Sequence, residues 1–134
     1  MLVTNDSPLR QLALDFNKLF VADYDSQGVE EGTTSTMETW RDEDFVVVLI
    51  PSSDRSDYAG ALGFDLGVDN WWLDWAYLQP TERHLGLVTT WWPRVLELLY
   101  EHGHPWISNG AESIHIQGPM SPSGQSLVRR LGLE

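Results

Sequence analysis

The stretch WWLDWAYLQPTERHLGLV, residues 71–88, carries the most information in the chain. Its first part, Trp71 to Gln79, is aromatic and apolar with β-forming residues, the composition of a strand. Pro80 stops that strand, because proline has no N–H to give to a ladder. A charged turn then leads to Gly86, and from Leu87 the apolar spacing changes. Leu87, Trp91, Val95, Leu98, Leu99 and His102 share a helical face, and Gly103 follows as a stop. A strand that feeds a glycine and then a helix sets an unsatisfied helix N-terminus beside the strand's end. The first amides of a helix have no internal partner and carry the positive end of the dipole. A glycine there lets backbone approach an anion, and Arg83 can add a charge-assisted contact.

Working upstream, Tyr58 to Leu66 reads as a strand rich in small residues, and Phe45 to Ile50 as a strand covered on both faces. Pro51 to Ser56 and Gly67 to Asn70 are turns, so the three strands form an antiparallel meander. Residues 8–20 predict a helix with Ser7 as N-cap, Pro8 at its first position and a stripe of Leu9, Leu12, Phe16, Leu19 and Phe20. Residues 25–36 are polar, contain two glycines and predict a mobile loop. Downstream, residues 103–111 read as a loop, Ser113 to Gln117 as a short strand, and residues 122–131 as a last helix with Ser121 as N-cap. The order predicts a single domain over residues 1–134. Its class is α/β, with a mixed, mainly antiparallel sheet, a β-α-β crossover and helices on both faces.

A chain of 134 residues is long enough to bury a core without staples. It has no cysteine, which removes disulfides and thiolate metal sites and points to a reducing, cytoplasmic setting. Asp6, Arg10, Asp15 and Lys18 interrupt any secretory signal, and the run Phe45 to Ile50 is far too short to span a membrane. The net charge is −12, and residues 1–82 carry all of it, with sixteen carboxylates against Arg10, Lys18, Arg41 and Arg55. Such a field repels nucleic acid and anionic membrane and attracts cations. A solvated surface that keeps the protein soluble is the plain reading of that charge. An acidic groove for a cationic acceptor and a surface imitating nucleic acid are the functional ones. His102, His104 and His115 have no acidic partner at a recognisable spacing, so no metal is expected. The chain is rich in tryptophan, and Trp71, Trp72, Trp75, Trp91 and Trp92 should mostly be core, with an aromatic pocket or oligomer interface as the alternative.

With those residues in view, the chain resembles the GNAT superfamily of N-acyltransferases. That family binds the pyrophosphate of acetyl-CoA with a loop written Arg/Gln-x-x-Gly-x-Gly/Ala after its fourth strand, often extended to hydrophobic-x-Pro-x-x-Arg-x-x-Gly. Leu78, Pro80, Arg83 and Gly86 stand at that spacing. Counting back from Gly132-Leu133, Ser121, Gly124 and Val128 fall at the Asn, Ala and Tyr positions of the family's last-helix pattern. The resemblance covers roughly residues 57–134. Val88 replaces the loop's final Gly/Ala, Pro93 lies inside the second helix, Val128 replaces the usual tyrosine acid, and the family's closing strand pair has no counterpart before Glu134.

The resemblance implies an N-acetyltransferase that moves an acetyl group from acetyl-CoA to an amine. Arg83 and the segment His84, Leu85, Gly86, Leu87 and Val88 would hold the pyrophosphate, and the backbone at Tyr77 and Leu78 would face the thioester. In this family a carboxylate on the fourth strand often serves as base, and Asp74 is the only carboxylate between Trp71 and Gln79. By simple alternation Asp74 shares a face with Trp72, Ala76 and Leu78, while Trp71, Leu73, Trp75 and Tyr77 share the other. A salt-bridged or edge-exposed Asp74 is the competing reading. The acidic first part points to a cationic small-molecule or protein amine as acceptor. The rival function is a non-catalytic module on the same fold, an acidic partner-binding protein or nucleic-acid mimic. A homo-oligomer in which a neighbour covers the sheet edge suits either, since an unpaired edge is a liability.

Overall fold

Strands Phe45–Pro51 (β2), Tyr58–Leu66 (β3) and Trp71–Leu78 (β4) pair antiparallel in chain order, as the meander predicts. This arrangement comes from a computed structural model, which describes residues 1–26, 45–54, 56–66, 71–83, 85–102, 114–116, 127 and 129–131. A two-residue strand, Leu2–Val3 (β1), flanks β2, and Ile114–Ile116 (β5) flanks β4, giving a sheet ordered β1-β2-β3-β4-β5. The β4–β5 pairing is parallel, and helix Leu87–His102 (α2) lies between those strands in the chain. Mixed pairing and the β-α-β crossover are therefore present. Leu2–Val3 is too short to leave a periodic signal and was not expected from the sequence.

Helix Arg10–Ser26 (α1) is longer than residues 8–20. It starts at Arg10, two residues after the expected start at Pro8, behind a turn in which the Ser7 hydroxyl accepts the Leu9 N–H at 3.3 Å and the Ser7 carbonyl accepts the Arg10 N–H at 3.0 Å. Its end also differs, since Asp25 and Ser26 belong to the helix rather than to a loop. The rest of the expected loop at 25–36 lies outside the described residues, as do the turn at 67–70 and the loop at 103–111. Of the expected last helix, Leu127, Arg129, Arg130 and Leu131 are helical and the remainder lies outside the description.

The sheet is covered on both sides, and each side has its own core. Phe16, Ala13 and Leu14 of α1 pack on Val47, Leu49, Ala61, Trp75 and Tyr77. Leu87, Val88, Trp92, Val95 and Leu99 of α2 pack on Val46, Val48, Leu62, Phe64, Trp71 and Leu73. Alternate residues of β2 serve opposite cores, which is why that strand is apolar at every position.

Strand β4 departs from simple alternation. Gly63 pairs with Trp75 and Phe64 with Leu73, so Asp74 is an extra residue on β4. This bulge inverts the strand's facing. Trp71 and Leu73 enter the α2 core, whereas Trp75 and Tyr77 enter the α1 core. The four do not share one face as expected. Three of the five clustered tryptophans, Trp71, Trp75 and Trp92, are buried, and Trp72 and Trp91 are half-buried. Pro93 leaves α2 unbroken from Leu87 to His102. Pro93 and Thr89 are both exposed, so water can satisfy the Thr89 carbonyl that the missing N–H would have bonded.

Candidate functional site

The end of β4 is fixed by close backbone approach to β3. Gln79 donates its N–H to the Ala59 carbonyl at 2.8 Å. Gly60 lies so near that a Cβ on it would overlap the Tyr77 carbonyl oxygen, so only glycine fits there. A single 3₁₀ turn, Pro80–Glu82, redirects the chain. Proline suits its first position, where no N–H is needed.

Two charged side chains tie this turn to its surroundings. Glu82 accepts the Ser53 N–H at 3.2 Å and so holds the β2–β3 turn. Arg83 turns back on the strand, and its Nε donates to the Leu78 carbonyl at 2.7 Å. Its guanidinium lies over the Tyr77 ring at 5.3 Å from the centroid and faces the Asp23 carboxylate of α1 at 3.5 Å. Tyr77 in turn packs against Phe16, with ring centroids 6.2 Å apart. Neither the Asp23 nor the Ser53 contact is anticipated by the sequence reading. Asp23 does follow Phe16 and Phe20 at helical spacing, so extending the α1 stripe by one turn would have found it on the right face.

Gly86 sits at the N-terminus of α2 with φ of 71°, and a Cβ there would meet nothing within 4 Å. Its carbonyl accepts the Thr90 N–H at 2.9 Å, the first bond of the helix. Gly86 has no side-chain acceptor for the amides of Leu87, Val88 and Thr89, which have no partner inside the helix. Leu85 is 54% exposed beside it. Val88 is buried in the α2 core, so its bulk points inward, away from the solvent side of the loop. His84 lies outside the described residues.

Asp74, half-buried at the bulge, stands apart from this loop. Leu78 lies four residues further along the strand, roughly 13 Å at ~3.3 Å per residue. On the side of β4 away from β3, described pairing covers only Trp71, Trp72 and Leu73, partnered by β5. The strand continues past the bulge to Leu78, so its outer edge from Asp74 onward has no described strand beside it. The structure thus joins Tyr77, Leu78 and Arg83 in direct contact, sets Gly86 three residues on, and places Asp74 at the bulge, four residues up the strand from Leu78.

Among the described residues, no group of three or more His, Asp or Glu side chains could hold a metal ion, and no helix is long and apolar enough to cross a membrane. Compared with protein families, characterised proteins and solved structures, the chain matches none.

Proposed function

We propose that this chain is a GNAT-like N-acyltransferase that moves an acetyl group from acetyl-CoA to the amine of a cationic acceptor. The observation that carries the reading is the contact of Tyr77, Leu78 and Arg83 at the end of β4, three residues before Gly86 at the start of α2. The backbone at a strand's end offers N–H and C=O groups to an extended chain bearing amides. The arm of CoA is such a chain, and its pyrophosphate would then meet the α2 N-terminus, where free amides and the helix dipole favour an anion. On this reading Arg83 and the segment His84 to Val88 hold the pyrophosphate, and backbone at Tyr77 and Leu78 faces the thioester. Asp74, at the bulge and roughly 13 Å up the strand from Leu78, lies on the acceptor side on this reading, and as base it would take the proton that the attacking amine loses only through intervening water. The acidic residues 1–82 favour a positively charged acceptor.

A second reading is supported by the occupancy of Arg83, whose guanidinium already has Leu78, Tyr77 and Asp23 as partners. An arginine that merely ties α1 to β4 would fit a non-catalytic acidic module on the same fold. Thermal denaturation with acetyl-CoA and with CoA separates the two. A ligand that binds only the folded state raises its melting temperature by mass action. A rise with both ligands is the expected result, and none at millimolar ligand would favour the module.

A further inference from the structure

The turn that carries Arg83 is a weak mount by itself. No side-chain hydrogen bond caps the start of Pro80–Glu82, and Pro80 has no N–H to give. Its entry bond, from the Glu82 N–H to the Gln79 carbonyl, is 2.9 Å, but its exit bond, from the Arg83 N–H to the Pro80 carbonyl, is long at 3.4 Å. A single 3₁₀ turn has poor hydrogen-bond geometry to begin with. What reaches from this turn to another part of the sheet is Glu82, whose Oε2 accepts the Ser53 N–H at 3.2 Å across 29 positions of chain.

Ser53 sits in a firm anchor. Ser52, 8% exposed, donates its N–H to the Asp57 carbonyl at 2.8 Å, and its hydroxyl accepts the Asp57 N–H at 3.3 Å. Asp54 Oδ1 accepts the Ser52 hydroxyl at 2.7 Å, the Ser56 hydroxyl at 2.7 Å and the Ser56 N–H at 3.0 Å. Glu82 is thus tied to a turn that is closed on itself, while the next residue, Arg83, is tied to the Leu78 carbonyl at 2.7 Å. The two ties fix the peptide between them from opposite ends. A carboxylate beside an arginine is otherwise a poor neighbour for an anion, since like charges repel at short range. The bond to Ser53 gives Glu82 a reason to be there.

We propose that Glu82 is a positioning residue for the candidate anion loop: docked on the Ser53 N–H, it fixes the peptide from which the Arg83 side chain leaves, three residues before Gly86. The inference rests on the acyl-CoA reading of that loop and adds the β2–β3 turn to it as a support. Two effects of Glu82 oppose each other. Its bond orders the backbone before a ligand arrives, so less ordering remains to be lost on binding. Its charge repels the ligand's phosphates, and that part alone fades as salt rises. Glutamine at position 82 keeps an acceptor and drops the charge, whereas alanine drops both.

The test is calorimetric titration of the whole chain with CoA and with inorganic pyrophosphate, comparing wild type, Glu82→Gln and Glu82→Ala. The two variants carry the same charge, so the difference between them isolates the bond to Ser53. Glu82→Ala should bind both ligands about three- to tenfold more weakly than Glu82→Gln, the factor one net hydrogen bond is worth. Glu82→Gln should bind at least as tightly as wild type, with the gap closing as salt rises. Circular dichroism verifies that both variants are folded, and a bond serving stability alone would leave the affinities equal. The Ser53 amide resonance should move in Glu82→Ala and stay near its wild-type position in Glu82→Gln. Equal or tighter binding by Glu82→Ala than by Glu82→Gln, with wild type binding, would overturn the positioning role and leave the cofactor reading intact. No binding of either ligand by wild type or by Glu82→Gln would overturn both.

Discussion

The indole of Trp75 lies on Gly63, the residue it pairs with on the neighbouring strand, so that a Cβ at position 63 would overlap the five-membered ring. Trp75 is 2% exposed and packs against Phe20, with ring centroids 5.9 Å apart, so the indole has nowhere to retreat. Gly63→Ala should destabilise by about 1–3 kcal/mol, the cost of overpacking a filled core. Shortening the opposing side chain should relieve it. Chemical denaturation of Gly63→Ala, Trp75→Leu and the double variant would read the coupling. Simple additivity of the two losses would mean that the indole does not occupy the space over Gly63.

The bulge separates the place of Asp74 in the chain from its side chain. Asp74→Asn keeps the residue count, so the facing of β4 and the fold should survive. If the carboxylate is the base, turnover should fall about 10²–10⁴-fold with acetyl-CoA binding intact. Deleting Asp74 removes the extra residue instead. Either Trp71 and Leu73 or Trp75 and Tyr77 must then leave their core, and the deletion should not fold cooperatively. A deletion variant with wild-type stability would show that no bulge is needed.

Arg83→Ala removes a charge-assisted bond to the Leu78 carbonyl, the cation over Tyr77 and the Asp23 pair. A loop arginine read from sequence alone has little to do with stability, but this one should cost about 1–3 kcal/mol when removed. CoA binding should weaken by a similar amount. Arg83→Lys is expected to restore the charge without the forked geometry, recovering part of the binding and little of the Leu78 contact. Stability unchanged in Arg83→Ala would place the guanidinium in solvent rather than on β4.

The β2–β3 turn should respond to acid at an unusually low pH. The Asp54 carboxyl is held down to about 2, first by the Ser56 N–H, then by the Ser56 and Ser52 hydroxyls. Its folded value lies below the ordinary carboxylate value near 3.9. The turn contacts are thus fully present above that ordinary value and are lost as pH falls through about 2. The Ser56 amide resonance should titrate with that low midpoint, and Asp54→Asn should abolish the transition. A midpoint near 4 would mean that the turn does not hold the carboxylate.

Much of the fold is legible in the sequence because its signals are local. Tyr58 to Leu66 is bounded by turn residues, and α2 runs from the glycine at 86 to His102 with an unbroken apolar face. The inversion in β4 is not legible. WWLDWAYL alternates without a fault, and an extra residue appears only when the strand is counted against its partner. The same limit applies at the candidate site. The spacing of Leu78, Pro80, Arg83 and Gly86 is visible in one line of sequence, whereas Asp23 is sixty residues from the arginine it meets. Val88 shows the converse. As a letter it is bulk in a phosphate loop, and only its burial reveals which way that bulk points.

Because β4 changes sides at Asp74, its large side chains wall one core before the bulge and the other after it. In β2 alternate side chains enter opposite cores, with the sheet backbone between them. Substitutions on separate sides, such as Phe16→Leu against α1 and Leu99→Ala in α2, should therefore lose free energy independently, within about 0.5 kcal/mol of their sum. Pairs that include Leu73 and Trp75 should depart from that sum, since the two residues flank one bulge and belong to opposite cores. In thermodynamic terms such a result would make the domain two half-cores coupled most strongly where β4 crosses between them.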